Sequence, residues 1–206
     1  MPEVLTHGSW LTPALLGAFH GLNPAMGWLF AVFLALQRQR QRALWLALVP
    51  ITLGHGAAVA GVAGLVVLAR STLPLEPVRW GTAGLLLIWG LARLWRGLRG
   101  PRWVGLNVGY GDLAWWSLLM ATAHGSGLML APLVLGLTTA DTALGLVAVH
   151  SLAMLGVMAV VAWLVYARLG VVILRRFWVN VDLLWALALC GAGGLSLGGL
   201  ALGPAH

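Results

Sequence analysis

The amino-acid sequence predicts an all-α polytopic membrane protein whose six transmembrane helices form two inverted three-helix repeats. Three observations carry that expectation. The 206 residues are 61% hydrophobic and only 8% charged, a balance that soluble domains of this size do not have. Six apolar spans can be read, at about 13–36, 43–69, 78–96, 113–135, 143–167 and 178–201, lengths suited to a bilayer core of about 30 Å. Finally, two histidine-bearing spans followed by a histidine-free one occur twice over. Residues 1–206 read as a single transmembrane domain, with repeat one at about 13–96 and repeat two at about 113–201.

Residues 1–12 lack a basic segment and carry Glu3, so the first span is expected to stay in the protein rather than leave as a signal peptide. Span one is apolar except for Phe19-His20-Gly21-Leu22-Asn23-Pro24-Ala25-Met26-Gly27. Pro24 removes a backbone hydrogen bond, so a broken helix is expected there, and the freed carbonyl must find another partner. Ionisable groups at membrane depth face a bundle interior or a cavity. Span two carries Leu53-Gly54-His55-Gly56 and ends at Leu73-Pro74-Leu75-Glu76-Pro77, a turn before span three. Gly100-Pro101 precedes span four, where Asp112 is expected as N-cap. Asp141 is expected to cap span five. Asp182 opens span six as a cap or as a partner for Arg175 or Arg176.

The twelve basic residues are all arginines. Ten lie between spans one and two, three and four, or five and six (Arg38, Arg40, Arg42, Arg93, Arg96, Arg99, Arg102, Arg168, Arg175 and Arg176). Arg70 and Arg79 lie on the opposite side. That bias makes the three arginine-rich loops cytoplasmic and turns both termini outward from a cytoplasmic (inner) membrane. The net charge of +7 is thus a topology signal, and nucleic acid is excluded as a partner. The lone Cys190 excludes an intramolecular disulfide and a cysteine metal cage. Trp10, Trp45, Trp80, Trp103 and Trp178 sit near span ends, as interfacial belts require. Gly17-x-x-x-Gly21 and Gly194-x-x-x-Gly198 allow close helix packing.

Span four repeats the first motif as His124-Gly125, with Gly127 and Pro132 after it, and span five carries His150-Ser151. At about 1.5 Å per residue, His20 and His150 lie about 10 Å below the outer face, His55 roughly 12 Å and His124 roughly 13 Å. A boundary error of about 4 Å covers that spread, so all four histidines are expected in one layer. Neutral imidazole suits nickel, cobalt, zinc, copper or iron, and no carboxylate is needed beside it. Met120 and Met154 each share a helical face with a histidine four residues away. A thioether there would suit copper(I), although methionine is also ordinary helix filler. With Asn23 and Pro24 they are the candidate substrate-pathway positions, and His7 and His206 lie outside the spans.

The element His20-Gly21-Leu22-Asn23-Pro24, with Leu53-Gly54-His55 on the next span, resembles the nickel/cobalt exporter (NicO) family of the lysine-exporter-like (LysE) membrane transporter superfamily. Members open with His-x-Leu-x-Pro and carry Gly-His or Ser-His on the following helix. The resemblance implies a six-to-eight-span transporter of inverted three-span repeats and a metal role for His20 and His55. This chain has Ala25-Met26 where related importers have Asp-His.

The leading reading is an exporter-like secondary transporter of a small solute, a divalent transition-metal cation first, held by His20, His55, His124 and His150. A second is an intramembrane metalloenzyme with His-ligated zinc, iron or copper acting on a lipid or small apolar substrate. A third is a haem-binding electron-transfer protein. The fourth is a structural subunit with packing histidines. The partners named are the lipid bilayer and a metal ion or small solute, with a homo-oligomer allowed.

Overall fold

The computed structural model of the chain describes residues 7–95, 109–136, 140–169 and 181–201, and the regular structure among them is entirely helical. Helix α1 (His7–Leu22) leads through a 3-10 turn (Pro24–Met26) into α2 (Trp28–Gln37). There follow α3 (Gln41–Thr72), α4 (Leu75–Trp95), α5 (Tyr110–His124), α6 (Ser126–Leu135) and α7 (Ala140–Leu164). A π-helical turn (Val165–Leu169) extends α7, and α8 (Val181–Ala201) completes the chain.

The interruption expected in span one separates α1 from α2. Asn23 caps the turn, its Oδ1 accepting from the Ala25 N–H at 2.9 Å, with Pro24 as the first residue. Gly27 closes it at φ 114°, a left-handed conformation that costs glycine little. Span four also breaks. Helices α5 and α6 meet at 62° across Gly125, at φ 73°. The break sits at that left-handed glycine, and Pro132 stays inside α6. Pro50 is likewise absorbed within α3.

Two caps differ from expectation. The N-cap of α5 is Gly109, and Asp112 acts from the third helical position, its Oδ2 accepting from the Gly109 N–H at 2.8 Å. A carboxylate reaches back to the cap from that position as the reciprocal half of a capping box does. Asp141 lies inside the first turn of α7, where its charge complements the helix dipole. The expected pairing of Asp182 with Arg175 or Arg176 lies outside the described residues, as do Trp103, Trp178 and His206. His7, expected beyond the first span, is the first residue of α1.

Close contacts set the helix directions. Trp10 packs on Gly145, Gly17 on the His150 backbone and Gly21 on Met154, so α1 and α7 run parallel. At Gly17 any Cβ would overlap the His150 carbonyl, so the small residue is what lets the two backbones touch. Ile51 meets Ser117, Gly54 meets Ala114, and Val62 meets Gly127, which makes α3 parallel to the α5–α6 pair. Gly90 packs on Cys190 and Leu87 on Gly193, an antiparallel crossing of α4 and α8.

Two large apolar clusters fill the interior, and a small third joins Leu86 and Leu189 to Met129 of α6. One joins Trp28, Ala31 and Val32 of α2 to Leu44, Leu48, Ile51, Leu113, Met154 and Met158. The other joins Leu130, Ala131 and Val134 of α6 to Val59, Ala63, Val66, Leu146 and Val147. On α3 and α7 alike, the stretch between the two clusters holds a histidine.

Helix α3 and the run Asp141–Arg168 are long and apolar enough to cross a membrane, and the α5–α6 pair makes a third if it counts as one span. Large apolar side chains, among them Leu53, Leu65, Ile88, Leu152 and Leu195, are exposed along the helices, as lipid contact requires. Of span six, Ala186–Ala201 counts as a shorter apolar helix, and spans one and three fall short for local reasons. Span one is split into helices of 16 and 10 residues. Helix α4 carries Glu76, Arg79 and Arg93.

Candidate metal centre

His20, His55 and His150 converge at the waist between the two apolar clusters, contributed by α1, α3 and α7. They are 0%, 1% and 1% exposed. Each offers one ring nitrogen within 4.8 Å of the others. The His55 and His150 rings stack with centroids 5.6 Å apart and planes at 16°. His20 meets both edge-on, at 5.1 and 5.0 Å.

The donor geometry fits a cation. The Nε2 atoms of His55 and His150 face one another at 3.4 Å. Two imidazole nitrogens about 2.1 Å from a tetrahedral ion stand about 3.4 Å apart. Facing lone pairs repel unless a proton or a metal sits between them. The Nδ1 of His55 is buried and finds no hydrogen-bond partner among the described residues, which costs about 1–3 kcal/mol in an apolar setting. A metal with its ordered second shell, or bound water, would relieve that cost. Among the described residues no carboxylate joins the three rings, so a divalent ion would keep its charge in this site. Three borderline nitrogen donors select for transition metals over magnesium or calcium.

His124, expected in the same layer, is equally buried but stands outside this set of three. It ends α5, and its Nδ1 donates to the Met120 carbonyl at 2.8 Å. Of the pathway positions, Asn23 and Pro24 build the helix break. The Nδ2 of Asn23 is buried with no hydrogen-bond partner among the described residues. Met120 contributes its carbonyl to His124, and Met154 is buried in the cluster shared with α2.

Ser126 belongs to the site and the sequence reading passed over it. Its Oγ lies 2.7 Å from His20 Nε2, joining the start of α6 to α1, and it is fully buried. The usable signal was its place, a hydroxyl at membrane depth immediately after the His124-Gly125 break. Ser117 is a second omission, donating its hydroxyl proton to the Ile51 carbonyl at 2.7 Å and fixing α5 against α3 one turn before His55. At one end of the bundle, Arg38 Nη1 donates to the Tyr110 hydroxyl at 2.9 Å and its guanidinium lies over that ring, tying α2 to α5.

No family model, curated protein or solved structure matches the chain.

Proposed function

We propose that this chain is a six-span membrane transporter of a divalent transition-metal cation, built from two inverted three-span repeats. The observation that carries the reading is the position of the three histidines, enclosed between two apolar clusters that are each lined by one half of a broken helix. Helix α2 follows the first break and lines one cluster; α6 follows the second and lines the other. Each half-helix begins beside a left-handed glycine, Gly27 or Gly125. A hinge at either glycine would open one plug and leave the other shut, which is what alternating access demands.

The packing pattern supports the repeat. A two-fold exchange of the repeats turns the parallel contact of span one with span five into that of span four with span two. It also maps the antiparallel contact of spans three and six onto itself. Both relations match the observed directions. With the arginine-rich loops cytoplasmic and both termini outside, the α6 plug faces outward and the α2 plug inward. The resemblance of His20–Pro24 and Gly54-His55 to nickel/cobalt exporters makes cobalt or nickel the first cargo to test.

The test is cobalt(II) flux into proteoliposomes reporting on an enclosed metal-sensitive dye. Flux above that of empty liposomes, lost in H55A and H150A, is expected. The match of the His55–His150 spacing to a fixed tetrahedral site favours a second reading, an intramembrane metalloenzyme. Stoichiometric metal binding with no flux would transfer support to it. Rings packed 5.0–5.6 Å apart argue against a haem, which needs an open slot between its axial ligands.

A further inference from the structure

We infer that Ser126 is a latch on His20, released when the metal binds, and that it couples cargo binding to the freedom of the α6 plug. The inference rests on the metal-site reading above. Ser126 is the first residue of α6, directly after the Gly125 hinge, and its hydroxyl reaches 106 positions back to the ring of His20 at 2.7 Å. Both partners are fully buried, so water does not compete for either.

The tautomer decides what that contact means. A His20 ring able to ligate through Nε2 carries its proton on Nδ1 and keeps its lone pair on Nε2. In that tautomer the Ser126 O–H donates into the lone pair that a metal needs. One lone pair cannot serve both. When the ion arrives, His20 Nε2 passes from the hydroxyl to the metal, and the direct tie between α1 and the start of α6 is lost. Helix α6 lines only one of the two plugs, so the release acts on one side of the site. His124, the last residue of α5, donates its own Nδ1 proton to the Met120 carbonyl one turn earlier.

Cobalt(II) titration of the full-length, untagged protein in detergent tests this. Ser126→Ala removes the competitor, so the variant is expected to bind cobalt about tenfold more tightly, since the metal-free state loses a buried hydrogen bond. Its visible cobalt spectrum should equal that of wild type, because the serine is not a ligand. Ser126→Thr keeps a hydroxyl and should restore the wild-type affinity. A merely structural role would lower affinity, and a ligand role would both lower it and change the spectrum; either result overturns the latch. Wild type that binds no cobalt would overturn the metal reading along with it. A measurement without substitution at 126 uses spin labels at positions 15 and 136, with Cys190 replaced by serine. Zinc addition should lengthen the separation of α1 and α6, and an unchanged separation on zinc-loaded protein would overturn the latch.

Discussion

Adding one methyl group at Gly17 should weaken metal binding although position 17 touches no metal. The Cβ of Gly17→Ala would overlap the His150 carbonyl oxygen. Two effects then oppose one another. Alanine in a helix interior is favoured over glycine by about 0.8–1.0 kcal/mol. Overpacking costs about 1–3 kcal/mol, and the neighbour here is backbone, which cannot swing aside as a side-chain tip would. Overlap wins, with a net loss of up to about 2 kcal/mol. Gly61→Ala is the control, since beyond its own stretch of helix no atom of the described residues lies within 4 Å of a Cβ at that position. It should gain the propensity term alone, so the two substitutions should have opposite signs. The functional consequence follows from register. His20 lies one turn beyond Gly17, and α7 carries His150 at the point of overlap. Backing α1 away by about 1 Å moves the ligand nitrogens several times farther than the ±0.2 Å that a metal site tolerates. Cobalt affinity should fall by about 10–100-fold, the scale seen when ligand support is disturbed. Thermal melts and cobalt titrations in detergent read both quantities. Gly17→Ala with unchanged melting and unchanged affinity would refute the reasoning, because α1 and α7 would then not be held at the distance that aligns the rings.

Two further outcomes are expected. Cobalt affinity should fall as pH is lowered, since each imidazole must be neutral to ligate. With three rings involved the loss should exceed tenfold per pH unit once they protonate, whereas a slope of one would mean a single coupled histidine. Asn23→Ala removes the cap of the 3-10 turn and should cost about 1 kcal/mol in a thermal melt, with Asn23→Ser recovering most of it. A variant melting with wild type would mean that Oδ1 does not hold the break.

The helices and the helix breaks could be read from the chain because each rests on local chemistry. Apolar runs bounded by arginine or proline set α3 and α7 within a few residues. The Asn23-Pro24 pair and the His124-Gly125 pair marked both interruptions, although at Gly125 the backbone conformation made the break and Pro132 did not. Depth counting alone brought His20, His55 and His150 to one level, because rise per residue is nearly constant in a helix. Depth says nothing of azimuth. His124 lies at a similar level by that count, yet its Nδ1 turns to the Met120 carbonyl and its ring stands outside the convergent set. The contact of Ser126 with His20 was out of reach for the same reason. A hydroxyl contact between residues 106 apart depends on how α6 leans after a 62° bend, and that angle is set by packing. Asp112 shows the reverse case, in which the residue type was right and its register was off by one turn.

The most direct test is the cobalt(II) stoichiometry and affinity of the untagged full-length protein, measured by equilibrium dialysis beside H20A, H55A, H150A and H124A. Structural zinc sites of four ligands contribute about 10–16 kcal/mol, or about 3 kcal/mol and about a hundredfold in affinity for each ligand. One ion per chain is expected in wild type, with about a hundredfold loss in each of the first three variants and less than tenfold in H124A. Wild type that retains no cobalt, or four variants that lose it equally, would contradict a site built by His20, His55 and His150.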